Sequence, residues 1–205
     1  MQCVDNFAIL VKIHKEGLFY VERTLIILKP DTVQRAIAGE IITRFERVGL
    51  KIIGMKMMIP EMELLRNHYP DDLIPIVGNK TKEDWDNYGV EYSESIEEIG
   101  KVIVEATRDF MKSAPVIAMV LEGSQAVEIV RKMVGKTGPK DSPPGTIRGD
   151  YAHLSLGRAS LRKKGAANIL HASGTVKEAE HEIKMWFDDN ELFEYKTVHE
   201  QLTQV

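Results

Sequence analysis

The stretch Thr24-Leu-Ile-Ile-Leu28 consists of leucine and β-branched residues and ends directly before the pair Lys29-Pro30. A short apolar run of this length, closed by a proline, predicts a buried strand. From Asp31 onward apolar residues recur at helical intervals until Gly49, and a glycine commonly follows the last residue of a helix. Asp31 and Gln34 have the spacing of a capping box, so we expect the helix to begin there. The fold therefore starts with a strand that leads into a helix.

Strands and helices continue to alternate along the rest of the chain. Strands are predicted at 50–59, 116–121 and 168–171, and helices at 61–69, 95–111, 124–134 and 175–186. Ser95 with Glu98 and Thr175 with Glu178 have capping-box spacing, which marks the start of two of these helices. A long loop with three prolines and three glycines covers 136–149. Strands separated by helices indicate an α/β sandwich, with one small sheet and helices on one face of it.

The overall composition restricts the class of protein. The chain has 205 residues, 43% of them hydrophobic, which is enough for one core and too apolar for an intrinsically disordered chain. Its 27 basic and 31 acidic residues give a net charge of −4, which argues against nucleic-acid or membrane binding driven by positive charge. The single cysteine, Cys3, excludes an intramolecular disulfide. The longest apolar run, 115–121, is too short to span a bilayer, and we expect a cytoplasmic protein.

Several residues suited to phosphate chemistry stand at the ends of predicted elements. His171 ends the last strand, and Glu182 follows eleven residues later in a helix that can fold back over the strand end. Lys29, Arg131 and Arg148 stand in loops or at element ends, and the segment around Arg148 is rich in glycine. A neutral imidazole beside several cations is what phosphoryl transfer to histidine requires. A single histidine is more often structural, so it is the combination that favours catalysis.

Six segments, in order along the chain, make this sequence resemble the nucleoside diphosphate kinases. They are 22–35 (ERTLIILKPDTVQR), 39–42 (GEII), 68–69 (HY), 114–123 (APVIAMVLEG), 145–150 (GTIRGD) and 168–173 (NILHAS). The resemblance covers the chain from Val21 to about Tyr195. It implies a ferredoxin-like fold, in which helices pack on a four-stranded antiparallel sheet.

The resemblance also implies a ping-pong transfer of the γ-phosphate from ATP to a nucleoside diphosphate, through a phosphohistidine on His171. Ser173 and Glu182 are expected to orient the imidazole, and a set of polar residues is expected to bind the phosphates and the sugar. This set is Lys29, Tyr69, Arg131, Thr137, Arg148 and Asn168. Mg²⁺ is expected to ride on the nucleotide phosphates rather than in a protein metal site. A homo-oligomer, either a hexamer or a tetramer, is also expected.

The chain departs from the family pattern in two insertions, at 71–98 and 159–167. The first falls where the family has an aromatic residue that stacks on the nucleotide base. Candidates for the base contact here are Ile76, Val77 and Trp85, and Leu156 on another loop is expected to cover the base. The first insertion is acidic and the second is basic, which suggests that they meet within or between subunits; the alternative is two separate solvated loops.

The first twenty residues have no counterpart at the usual start of the family. One hypothesis is that Val21 is the true first residue and that 1–20 is a mis-called leader. The alternative is an extra edge strand, because 7–13 is apolar. Residues 21–205 are expected to form a single domain that carries both insertions.

Two other classes of function stay open at this stage. One is a nucleotide-binding or regulatory module that keeps the fold but has lost turnover, which the retention of every matched catalytic position disfavours. The other is a nucleic-acid binder that uses the basic residues of the second insertion. The net charge of −4 and the lack of aromatic residues in that patch argue against it as the main role.

Overall fold

A computed structural model describes residues 21–203 as four strands joined by helices. The strands are β1 (Val21–Leu28), β2 (Lys51–Met58), β3 (Val116–Ser124) and β4 (Leu170–Ala172). The helices are α1 (Pro30–Gln34), α2 (Ala38–Arg47), α3 (Met62–His68), α4 (Ile74–Asn87), α5 (Ile96–Lys112), α6 (Ala126–Val134), α7 (Ile147–Tyr151), α8 (Leu156–Leu161), α9 (Val176–Trp186) and α10 (Val198–Thr203). Residues 1–20, and with them the alternatives of a leader or an extra edge strand, lie outside the described residues.

The four strands form one antiparallel sheet in the order β2-β3-β1-β4. In the register of this sheet Leu25 of β1 lies opposite Val120 of β3, and Ile27 of β1 lies opposite His171 of β4. The last five residues of β1, 24–28, are all buried. The structure therefore confirms both the predicted buried strand and the four-stranded antiparallel sheet.

Helices cover both faces of the sheet. Side chains alternate between the two faces along a strand. Leu25 and Ile27 point into a core formed with α3, α5 and α9, whereas Ile26 and Leu28 point into a core formed with α2, α6 and α7. The prediction of helices on one face was wrong because β1 carries apolar residues at both sets of alternate positions, and both sets need cover.

The helix predicted after β1 divides into α1 and α2. The chain turns between them at Ala36, whose φ of 54° lies in the left-handed region. The capping box predicted at Asp31 is absent: α1 has no side-chain cap, and the Asp31 carboxylate instead accepts a hydrogen bond of 3.0 Å from the N–H of Ile169. The capping box of Ser95 and Glu98 is present at the start of α5, as predicted.

The two predicted insertions contact each other in the folded chain. The first, 71–98, contains α4, and the second, 159–167, begins within α8. The indole N–H of Trp85 donates to Ser160 Oγ across 2.9 Å. The two segments thus contact each other, although no ion pair joins them among residues 21–203, and that both are insertions stays a prediction. The organisation of the chain as a single domain stays a prediction.

Candidate active site

His171 lies in the middle of β4, the short strand at one edge of the sheet. Its side chain is 18% exposed, and its ring lines a cavity of about 480 Å³. The walls of this cavity also include all six residues predicted to bind phosphate and sugar. They are Lys29, Tyr69, Arg131, Thr137, Arg148 and Asn168. The fold therefore brings the predicted nucleophile and its predicted phosphate ligands to one place.

Glu182 and Ser173 lie behind His171 and do not line the cavity. The Thr175 side chain caps α9 by accepting a hydrogen bond from the N–H of Glu178, as predicted. The helix then returns Glu182 to the strand, where its Oε1 lies 2.8 Å from Nε2 of His171. The contact is not aligned as a hydrogen bond, and it becomes an ion pair only when the ring carries a positive charge. Ser173 Oγ donates to Glu182 Oε2 across 2.6 Å and thereby fixes the carboxylate.

The environment of His171 keeps its imidazole neutral. Burial, and after it the positive charges of Lys29, Arg148 and Arg131, together lower the pKa of His171 from 6.5 to about 3. Burial raises the pKa of Glu182. A neutral imidazole has a free lone pair, which is what attack on phosphorus requires.

Lys29 lies at the end of β1 with almost no exposed surface. Its Nζ donates to Asn168 Oδ1 across 2.7 Å, and Asn168 Nδ2 donates to the carbonyl of Thr137 across 2.8 Å. Burial lowers the pKa of Lys29 from 10.5 to about 8, the charge of Arg148 lowers it as well, and Asp31 opposes the shift. At neutral pH the cavity therefore holds a fixed ammonium group that is close to its titration range.

The two arginines of the cavity are held in different ways. Arg148 is buried and donates to the carbonyls of Asn168 (3.1 Å) and Leu170 (2.7 Å), and to two carbonyls of the loop after α6. Within the described part of the chain, 21–203, Arg131 makes one weak hydrogen bond, in which Nη1 lies 3.5 Å from the carbonyl of Ala172. Arg148 is therefore a rigid charge beneath β4, and Arg131 keeps most of its N–H groups available for a phosphate.

Tyr69 supplies a neutral donor to the cavity. Its hydroxyl is buried and has no hydrogen-bond partner among the described residues. Burial raises the pKa of Tyr69, and the nearby Glu182 raises it further, so the hydroxyl keeps its proton. A buried donor without a partner costs stability unless a ligand accepts its hydrogen bond. The Tyr69 hydroxyl lies in the cavity wall, where it can donate a hydrogen bond to a phosphate oxygen.

The nucleoside diphosphate kinase family model matches residues 22–73 and 91–192 of this chain. The chain belongs to the nucleoside diphosphate kinase family. The nucleoside diphosphate kinase of Pyrobaculum aerophilum is 42% identical in an alignment of 181 residues that covers 85% of this chain and 99% of that relative. The chain is therefore a phosphotransferase that acts on nucleotides.

Solved structures of the same family have the same fold. An NDP kinase from Pyrobaculum aerophilum has a TM-score of 0.81 at 40% identity, covering 85% of this chain and all of that one. The kinase of Borrelia burgdorferi, described as a transition-state mimic with vanadate and ADP, has a TM-score of 0.73 at 35% identity, covering 88% and 95% of the two chains. Both comparisons confirm the fold class that the resemblance implied.

The kinase holds a strained residue, which the sequence did not reveal, directly before β4. Ile169 has a φ of 77°, a conformation that β-branched residues rarely adopt. Its N–H donates to the Asp31 carboxylate, and its carbonyl accepts from the N–H of Lys29 (2.9 Å) and from the Thr32 hydroxyl. These three hydrogen bonds offset the strain and fix the direction in which the strand carries His171. Asp31 and Thr32 both lie in the segment 22–35 of the resemblance, and the local pattern predicts a helix cap at Asp31 rather than a contact with Ile169.

The sequence did not indicate as functional either His68, which is a neighbour of His171, or Trp186, which contacts His68. The rings of His68 and His171 are 4.5 Å apart and meet edge to face. Trp186 Nε1–H donates to Nδ1 of His68 across 3.3 Å, and that nitrogen lies 3.5 Å from Glu182 Oε1. Burial lowers the pKa of His68 to about 3, so this ring is neutral as well. His68 lies in one of the six segments of the resemblance, which was the available signal.

The residues predicted to contact the base divide into two groups. Leu156 and Val77 line the cavity, as expected for a base contact. Ile76 does not line it and is 64% exposed, because a step of one residue along α4 turns the side chain toward solvent. Trp85 is buried against Ser160 and is likewise absent from the cavity wall. The expectation of a base contact at Ile76 or Trp85 is therefore corrected.

Proposed function

We propose that Nδ1 of His171 accepts the γ-phosphate of a nucleoside triphosphate and passes it to a nucleoside diphosphate. The observation that carries this proposal is the neutral imidazole in a cavity walled by Lys29, Arg131 and Arg148. Nε2 of His171 is buried beside Glu182, so Nδ1 is the ring nitrogen that a substrate can reach. ADP, the nucleotide in the Borrelia burgdorferi structure, is one of the proposed substrates.

The reaction has two half-reactions on the same ring. In the first, the Nδ1 lone pair attacks the γ-phosphorus, the bond to the β–γ bridging oxygen breaks, and that oxygen leaves with the electron pair as part of the diphosphate. The phosphorylated ring is positive because Nε2 keeps its proton, and the Glu182 carboxylate stabilises it from 2.8 Å. In the second half-reaction a β-phosphate oxygen of another diphosphate attacks the same phosphorus, and His171 returns to its neutral form.

The surrounding polar groups hold the transferring phosphate in place. Arg131 binds phosphate oxygens with its free N–H groups, Arg148 supplies a fixed positive charge, and Tyr69 donates its unpaired hydroxyl hydrogen. Lys29 and Asn168 are already joined to each other at 2.7 Å and bind the sugar and phosphates together. Because these groups are ordered before substrate arrives, positioning accounts for a large part of the rate, about 7–11 kcal/mol in well-oriented reactions.

Mg²⁺ is proposed to enter on the β- and γ-phosphates, whose charge it neutralises when bound. The described residues include one cluster with metal-ligand spacing, His68, His171 and Glu182, within 4.8 Å of one another. Two of its three ligand atoms are nitrogens, and Mg²⁺ prefers oxygen ligands. Glu178 and Asp84 are the carboxylates in the cavity wall, too few for an all-protein site. The donor set therefore fits a metal that the nucleotide carries.

We also propose that the kinase is a cytoplasmic homo-oligomer, a hexamer or a tetramer. The edge strand β2 exposes apolar side chains, with Met55 at 46% and Met57 at 59%. An exposed apolar edge strand favours association with another copy of the chain. Light scattering after size-exclusion chromatography measures the mass, and a monomer would contradict the proposal. No helix between residues 21 and 203 has the length and apolarity needed to cross a bilayer.

The central experiment is labelling of the protein with γ-³²P-ATP, followed by a chase with unlabelled CDP. We expect alkali-stable, acid-labile label in the natural protein and its quantitative transfer to CDP. His171→Ala should abolish both labelling and exchange, whereas His153→Ala, an exposed histidine outside the cavity, should leave them unchanged. Label that persists in His171→Ala, or label that does not move to CDP, would contradict the proposal. Label that persists in His171→Ala would place the phosphate on another residue, whereas label that does not move to CDP would favour a nucleotide-binding module without turnover.

A further inference from the structure

Arg108 is a charged residue on the buried face of α5. Val104 before it and Met111 after it are buried apolar residues of the same face, and the core-facing stripe of a helix is normally apolar. The Arg108 side chain is nevertheless only 1% exposed. Burial of a guanidinium group costs free energy unless its N–H groups find acceptors, so an arginine at this position needs specific partners.

The partners of Arg108 lie on its own helix and on the segment that follows α3. Nε donates to the carbonyl oxygen of Tyr69 across 3.0 Å, and Nη2 donates to the same oxygen. Nη2 also donates to Asp71 Oδ1 across 2.7 Å, and Nη1 donates to Glu105 Oε1 across 2.8 Å. The Asp71 and Glu105 side chains are 76% and 39% exposed, so water can serve them as well. The carbonyl of Tyr69 is therefore the partner that depends most on Arg108.

Tyr69 needs this bond because it is the residue at which α3 ends. It precedes Pro70, and the residue before a proline disfavours the helical conformation. Carbonyl groups at the end of a helix have no partner within that helix. The N–H of Tyr69 still donates to the carbonyl of Leu65 across 2.9 Å, and its own carbonyl accepts from Arg108. The backbone of Tyr69 is thus held from two sides, by α3 through its N–H and by α5 through its carbonyl.

The Tyr69 side chain extends from this fixed backbone into the nucleotide cavity. Its buried hydroxyl has no hydrogen-bond partner within residues 21–203, and its ring centre lies 6.5 Å from that of His171. Arg108 does not line the cavity, and of its hydrogen-bond partners in the described part of the chain Tyr69 alone lines it. Misplacement of a binding group by about 1 Å can lower a rate by roughly 100-fold. A residue behind the cavity wall can therefore affect transfer through Tyr69.

We propose that Arg108 is a positioning residue, which holds the carbonyl of Tyr69 so that the Tyr69 hydroxyl faces the transferring phosphate. Arg108 also binds Asp71, and the family match is interrupted after residue 73. The same guanidinium therefore holds the chain just before the unmatched segment, 74–90, begins. The inference rests on the proposed function, in which Tyr69 donates to a phosphate oxygen.

The test is a double-mutant cycle of Arg108→Met and Tyr69→Phe, measured as kcat/KM for CDP with ATP as the donor. Tyr69→Phe should lower kcat/KM about 10-fold, the size expected for one hydrogen bond to a charged phosphate. Arg108→Met should cause a similar loss in the natural protein, but less than about 2-fold in the Tyr69→Phe background, because the hydroxyl that it positions is then absent. A merely structural role would produce the same loss in both backgrounds.

Arg66→Met is the matched control. It removes an exposed guanidinium of α3 near Asp71, leaves the donors to the Tyr69 carbonyl in place, and should leave kcat/KM unchanged. Circular dichroism checks the fold of each variant. If Arg108→Met does not fold, Arg108→Lys, which keeps the charge but loses the two-nitrogen contact with the carbonyl, takes its place in the cycle with the same expectation.

Three results would overturn the inference. They are equal losses from the Arg108 variant in the two backgrounds, an unchanged kcat/KM in Tyr69→Phe, and an equal loss in Arg66→Met. Calorimetric binding of ADP separates this inference from the proposed function, because it needs no phosphohistidine. Losses in ADP affinity that do not add in the double variant support the inference even if His171 transfers no phosphate, and additive losses refute it.

Discussion

The pH dependence of nucleotide use should reveal the titration of Lys29. The structure lowers the pKa of this buried ammonium from 10.5 to about 8. At pH 9 about one tenth of the free enzyme would still carry the charge, because each pH unit above the pKa reduces the protonated fraction tenfold. Since Lys29 is a phosphate ligand in the proposed site, kcat/KM for a nucleoside diphosphate should fall about tenfold per pH unit above pH 8.

The same shift has a defined effect on stability. The pKa of Lys29 is lower in the folded than in the unfolded chain, so the unfolded chain binds more protons between about pH 8 and 10.5. Below pH 8 both states are protonated, and the buried charge costs about 3 kcal/mol of unfolding free energy. This cost declines as the pH rises through 8 toward 10.5. Lys29 therefore destabilises the fold at the pH where it binds substrate.

The assay is steady-state phosphate transfer from pH 6.5 to 10 with Mg²⁺ in excess. Nucleotide phosphates are fully ionised across the upper part of this range, since their second pKa is about 6, and they contribute no change there. Lys29→Arg keeps a positive charge above pH 12 and should remove the decline above pH 8. Lys132→Arg, on the exposed surface of α6, is the matched control. An identical decline in Lys29→Arg and the natural protein would refute the assignment to Lys29.

Three further predictions concern residues that hold the site in place without binding the nucleotide. Glu182→Gln removes the charge beside the phosphorylated ring and should therefore lower kcat about 10²-fold with little change in KM. A rapid-quench assay measures this effect, and an unchanged kcat would contradict the role of Glu182. Thr32→Val should lower the free energy of unfolding in urea by about 1 kcal/mol, because it removes a buried hydrogen bond to the carbonyl of Ile169. Thr43→Val, at an exposed position, should lower it less. Gly157→Ala should lower the unfolding free energy by about 1–3 kcal/mol, because the new Cβ would lie 2.6 Å from the ring of Tyr88, which directly follows α4; a neutral substitution would show that α4 moves freely.

Elements with strong local signals were predictable from the sequence. The buried strand β1 follows from its continuous apolar run, and α5 and α9 begin at Ser95 and Thr175 because the side chains of these residues accept backbone hydrogen bonds at the helix starts. Once α9 begins at Thr175, two turns of helix bring Glu182 back to the strand that carries His171. The core of the site therefore rests on short-range rules, in addition to the resemblance.

Features that depend on distant contacts were not predictable. The acidic stretch 71–98 has the composition of a surface segment, and its helix α4 is stabilised by packing on α5 and α8. Without the bounds of α4, the face that carries Val77 is indistinguishable from the face that carries Ile76. Asp31 has capping-box spacing, yet its carboxylate bonds to Ile169, a residue 138 positions later. Local pattern gives no information about such a partner.

In this kinase the residues that hold His171 in place are separate from α4, the helix that borders the cavity. Arg148 donates to carbonyls on both sides of Ile169, so a single guanidinium fixes the strand that carries His171. Changes in this frame act on the transferring phosphate, which every nucleotide shares, and should slow all substrates by the same factor. α4 borders the same cavity and lies outside the family match. Changes on the cavity-facing side of α4 should therefore leave the hydrogen bonds that hold His171 in place intact, because no residue of α4 takes part in those bonds.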